Sequence, residues 1–85
     1  MDLYTALRRG KNVRLRCEFE GMPLPRVVWL KNGQLLEPSE RIQMNEWELV
    51  IGSGDTSDSG FYQCRGENIM GAFQSTTWLE TKSGG

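Results

Sequence analysis

From Val13 to Phe19 the chain is apolar at every odd position and charged at every even one. A period of two over seven residues is the signature of a strand with one buried face. Leu3, Thr5 and Leu7 alternate in the same way before Arg8-Arg9-Gly10. Gly21-Met22-Pro23-Leu24-Pro25 cannot lie inside a helix and reads as a turn. Arg26 to Lys31 reads as a further strand, with Val27 and Trp29 on one face and Val28 and Leu30 on the other. Asn32-Gly33 then marks a hairpin, because both positions of such a turn need positive φ. Gln34 to Leu36 returns as a short strand ending at Pro38. Arg41–Met44 alternates through Ile42 and Met44, and Trp47–Ile51 through Trp47, Leu49 and Ile51. A polar loop spans Gly52–Gly60, a strand runs from Phe61 to Gly66, Asn68–Gly71 turns, and Phe73–Thr81 closes the chain. Seven or eight short strands, with turn signals roughly every 8–12 residues, predict an antiparallel sandwich or barrel. No helical period, internal repeat or low-complexity segment competes with that expectation.

Length and composition narrow the function. Eighty-five residues make one domain, expected to span 1–82, with Ser83, Gly84 and Gly85 as a disordered tail. Ten basic residues against eleven acidic give a net charge of −1, so no global basic field draws nucleic acid. Histidine is absent, which removes the commonest general base and the commonest zinc ligand. No apolar run is long enough to cross a membrane, and no charged-then-apolar leader is visible, so direct membrane insertion is not expected. Both ends read as edges cut from something larger.

The two cysteines, Cys17 and Cys64, are too few for a tetrahedral metal site without histidine, and too far apart for a redox pair. A buried disulfide is the natural reading, and buried free thiols are the alternative. In the chain-entropy model, a bridge across this span contributes about 4 kcal/mol. That is comparable to the whole stability of so small a domain.

Trp29 lies twelve residues after Cys17, and Cys64 follows Asp58-Ser59-Gly60-Phe61-Tyr62-Gln63. This Cys…Trp…D-x-G-x-Y-x-C constellation resembles the immunoglobulin superfamily. Gly21-x-Pro23-x-Pro25-x-Val27-x-Trp29 and Asn68-x-x-Gly71 look like its I-set, and the Cys–Cys interval is too short for a variable-type domain. The resemblance implies an all-β, immunoglobulin-like antiparallel β-sandwich with one inter-sheet disulfide between strands B and F. It implies that Trp29 covers the bridge, and that Leu15, Leu49 and Leu79 join Trp29 and Tyr62 in the core. Tyr62 takes the role of a tyrosine corner, and Arg41 pairs with Asp58. Two departures stand out. Gly54 falls where a small apolar residue is usual, which predicts a loosely packed corner. The first strand looks shortened.

Candidate sites follow. Asp55–Gly60 resembles the start of a calcium loop, but the twelfth position is Gly66, which carries no carboxylate. No nucleophile elbow or phosphate loop is present, and Glu46 and Glu48 are expected in solvent, so neither catalysis nor a cofactor is expected. Arg8, Arg9, Lys11, Arg14 and Arg16 form a basic run suited to an acidic partner or a sulfated glycan. If strands B and E pair as the resemblance implies, ion pairs from Arg14 and Arg16 to Glu46 and Glu48 would consume much of its field. If Trp29, Cys64 and Leu79 point inward, then Val28, Leu30, Phe61 and Trp78 point outward as an apolar patch of the kind that marks protein interfaces. No Asn-x-Ser/Thr occurs, so no N-glycan covers either face.

By resemblance, the chain is expected to be a non-enzymatic recognition and spacer module of a multidomain adhesion, receptor or matrix protein outside the cell. Its partners would be neighbouring domains, an unidentified protein or a second copy of itself. The competing expectation is an intracellular muscle or cytoskeletal repeat that links and docks.

Overall fold

A computed structural model describes residues 4–17, 26–45 and 47–82. Among them eight strands form two sheets. In chain order these are β1 (Tyr4–Arg8), β2 (Val13–Arg16), β3 (Arg26–Lys31), β4 (Gln34–Leu35), β5 (Ile42–Met44), β6 (Glu48–Ile51), β7 (Gly60–Asn68) and β8 (Gly71–Lys82). The larger sheet has the order β1-β8-β7-β3-β4, and the smaller one β2-β6-β5. All neighbours are antiparallel except β1, which runs parallel to β8 from Tyr4↔Trp78 to Arg8↔Lys82. Through that pairing the first strand joins the larger sheet. Leu3, Glu18, Phe19, the 21–25 turn, Glu46 and the 83–85 tail lie outside the described residues.

The alternation reads directly into the packing. Leu15 on β2, Leu49 and Ile51 on β6, and Trp29, Tyr62 and Leu79 on the larger sheet are all buried between the sheets. Cys17, just past β2, is disulfide-bonded to Cys64 on β7 with Cα atoms 6.2 Å apart. Trp29 sits opposite Cys64 in register and donates its indole N–H to the Asn45 carbonyl at 2.9 Å, so its one polar atom is paired. Asn32 and Gly33 take φ of 51° and 81°, the left-handed pair that a tight hairpin between β3 and β4 demands.

The structure departs from expectation at two positions. Trp47 does not join Leu49 and Ile51 in the core. It is 39% exposed, because the Asn45 carboxamide oxygen accepts from the Trp47 and Glu48 N–H groups and turns the chain before β6 begins. The corner at Gly54 is filled. A Cβ there would overlap Leu7 Cδ2 and stand 2.9 Å from Leu7 Cγ. Leu7, buried on β1, occupies the volume that a side chain at 54 would need.

Candidate interaction surface

The larger sheet buries one face and presents the other. Register puts Tyr4, Ala6 and Arg8 of β1 beside Trp78, Glu80 and Lys82 of β8 on the outward side. Phe61, Gln63 and Arg65 of β7 follow, then Leu30 and Val28 of β3 opposite Gln63 and Arg65, and Leu35 of β4 opposite Leu30. Val28, Leu30, Phe61 and Trp78 therefore share this face. Phe61 is 53% exposed and packs edge-on against Trp78, with ring centroids 4.7 Å apart. Trp78 donates Nε1–H to Glu80 Oε2 at 2.8 Å, which fixes its ring. Tyr4 and Leu35, not singled out in the sequence, extend the apolar surface at 53% and 65% exposure. Leu35 joins through the β3–β4 hairpin that Asn32-Gly33 marks, whereas Tyr4 joins through the β1–β8 pairing, which the local pattern around it does not announce.

The patch is divided. Gln63 Nε2 donates to Thr76 Oγ1 at 3.1 Å, and Arg65 reaches Gln74 at 3.4 Å. This polar step separates an aromatic cluster (Tyr4, Trp78, Phe61) from an aliphatic one (Val28, Leu30, Leu35). Beside the aliphatic cluster, a cleft of about 320 Å³ opens toward β5, lined by Val27, Leu36 and Met44 among others.

The smaller sheet is different. Arg14 and Arg16 both approach Glu48, each at 3.8 Å. Arg9 lies 3.8 Å from Asp55. The five-residue basic run is therefore not one field. Three of its members face a carboxylate, while Arg8 ends β1 and Lys11 follows the turn after it.

The loop before β7 is built for rigidity. Asp55 caps a 3-10 turn at Thr56–Asp58, accepting from Thr56 N–H at 2.8 Å, while Asp58 accepts from Asp55 N–H at 2.8 Å. Arg41 Nη2 donates to the nearly buried Asp58 carboxylate at 2.5 Å. Tyr62 O–H donates to the Asp58 carbonyl at 2.7 Å. Burial first, and then the Asp58 charge, push the Tyr62 phenol far above its ordinary value of 10.0, with Arg41 opposing.

Residues 4–80 match the immunoglobulin I-set domain family. The chain belongs to that family. It is 40% identical over 76 residues to contactin-5 of Danio rerio, covering 89% of this chain and 7% of that protein. It is 44% identical over 69 residues to peroxidasin of Drosophila melanogaster, covering 78% of this chain and 4% of that protein. The domain thus spans less than a tenth of each relative's length. Among solved structures, tandem immunoglobulin repeats of Dlar superpose with a TM-score of 0.85 at 29% identity, covering 95% of this chain and 44% of that one. A titin M10 complex with an obscurin-like 1 immunoglobulin domain gives 0.86 at 28% identity, covering 96% and 88%. In this I-set domain the acid-rich 55–60 run is a capped turn around the tyrosine corner, and no group of three or more metal-ligating side chains occurs among the described residues.

Proposed function

We propose that this I-set domain is a protein-recognition and spacer module of a larger multidomain protein, and that it docks its partner on the outward face of the five-stranded sheet. The observation that carries the reading is the exposed Phe61 ring braced on Trp78, in a sheet whose long central strands are fully paired. An aromatic held rigidly at the surface loses little side-chain freedom on binding, which is why such residues dominate interfaces. Val28, Leu30 and Leu35 would extend the contact. The mechanism is surface complementarity, with no bond chemistry, as is typical of immunoglobulin domains.

The test is made in the parent protein. A Phe61→Ser, Trp78→Ala variant is expected to lose partner binding by about a hundredfold or more, as loss of two aromatic anchors implies. An Arg14→Ala, Arg16→Ala variant on the other sheet should bind normally. Equal binding by both variants contradicts the reading.

The setting proposed is the cell surface or extracellular space, which the Cys17–Cys64 bridge favours. The second reading is an intracellular structural repeat, favoured by the titin likeness. Trapping thiols by alkylation at the moment of lysis separates the two. A bridged pair supports the first reading, and two alkylated cysteines support the second.

A further inference from the structure

Beyond the protein-docking reading, the strip where β1 runs beside β8 has a chemistry of its own. Its outward residues form three rows: Tyr4 beside Trp78, Ala6 beside Glu80, and Arg8 beside Lys82. The last row sets two like charges side by side on neighbouring strands, an arrangement that costs stability. Among the described residues no carboxylate lies within 4.0 Å of either cation. Glu80, one row away, is held instead by the Trp78 indole N–H. The backbone fixes the pair in place. Arg9 N–H donates to the Lys82 carbonyl at 3.0 Å, and Lys11 N–H to the Arg8 carbonyl at 3.0 Å, closing the turn against the strand end. Both side chains remain exposed, as does Ala6, which leaves a shallow step between the aromatic and basic rows.

We infer that this strip is a binding site for a sulfated oligosaccharide. A sugar ring has an apolar C–H face suited to the aromatic row and hydroxyls suited to the Glu80 carboxylate. A sulfate carried on the sugar relieves the repulsion between Arg8 and Lys82. Four residue steps along the strand separate the aromatic row from the basic one, about 13 Å, which is the reach of a short oligosaccharide. An acidic peptide would satisfy the cations, but it makes no particular use of a flat aromatic row set beside a hydrogen-bond acceptor.

The experiment uses the 85-residue chain and a heparin-derived hexasaccharide, followed by amide chemical shifts and calorimetry. Shifts are expected at Ala6, Arg8, Glu80 and Lys82, and not on β2 or β6. Arg8→Ala with Lys82→Ala should weaken binding by about tenfold or more. Tyr4→Ser should weaken it by about threefold. Arg8→Glu should abolish binding while leaving the melting temperature unchanged or raised, so that loss of binding is not loss of fold. Val28→Ser should bind the sugar normally, which separates this site from the aliphatic part of the protein-docking surface. A fully desulfated hexasaccharide should not bind. Three results overturn the assignment: no binding at millimolar sugar, shifts centred on Arg14 and Arg16, or equal affinity for a hexaglutamate peptide with no effect of Tyr4→Ser. The last would make the strip an acidic-peptide site.

Discussion

The two sheets solve the same problem in opposite ways. The smaller one consists of strands of three or four residues, and pairing alone would not hold it. It is tied to the larger sheet by the Cys17–Cys64 bridge, by the Trp29 indole on Asn45 and by the Arg41–Asp58 pair. On its outward side, Glu48 serves both Arg14 and Arg16. The larger sheet is self-supporting, with a nine-residue β7 between a twelve-residue β8 and β3. Its outward side leaves aromatic rings and a like-charge pair facing solvent. A face that neutralises its own charge has little to offer a partner, whereas a rigid face with unpaired chemistry does. On the proposed reading, stability and recognition fall on different parts of one small domain.

Cutting the ties should show this first in stability. Replacing Cys17 and Cys64 by alanine should cost about 4 kcal/mol, measured by chemical denaturation under reducing and oxidising conditions. The smaller sheet should lose amide protection from hydrogen exchange before β7 and β8 do. Next in size is the corner beneath β1. Gly54→Ala places a methyl group into Leu7 and should cost about 2 kcal/mol by overpacking. A Leu7→Ala, Gly54→Ala double variant should recover part of the Gly54→Ala loss, which a double-mutant cycle would register as non-additivity.

Tyr62→Phe should cost about 1.5 kcal/mol, because it strands the Asp58 carbonyl at the core boundary. The wild-type tyrosine also carries a pH signature. Its folded pKa is raised above the unfolded value, so the folded state favours the protonated phenol. The associated stability is fully present below pH 10.0 and is lost as pH rises above it, by up to about 1.4 kcal/mol per unit. The alkaline fall should be shallower in Tyr62→Phe. The smallest effects are expected on the two outer faces. Phe61→Ser and Arg16→Ala should each change stability by no more than about 0.5 kcal/mol, although only the first removes a residue of the proposed docking face.

Much of this architecture is legible in the sequence, because the signals are local. The odd-even run around Leu15, the Asn32-Gly33 turn and the spacing of Cys17, Trp29, Tyr62 and Cys64 each report a constraint within a few residues or a fixed motif. What was not legible depends on pairings distant in sequence. Leu7 fills the space above Gly54 across 47 positions, so a glycine that suggests a void instead accommodates a neighbour. Tyr4 joins Trp78, and Lys82 joins Arg8, only because β1 pairs in parallel with β8. The basic run from Arg8 to Arg16 looks continuous as a string. The fold sends Arg14 and Arg16 to one sheet and Arg8 to the other, and its contacts with acids divide it further. Trp47 follows the alternation of β6 by position, but the Asn45 turn places it outside the strand.

The central claim, that recognition belongs to the outward face of the five-stranded sheet, is tested most directly by site-specific photo-crosslinking in the parent protein. A photoreactive phenylalanine analogue would be placed at Phe61 in one variant and at Gln43 on the smaller sheet in another, each irradiated in the cell that makes the protein. The account predicts a defined protein adduct from position 61 that disappears when Trp78→Ala is added, and none from position 43. Adducts of equal yield from both positions, or an adduct from position 43 alone, would contradict it.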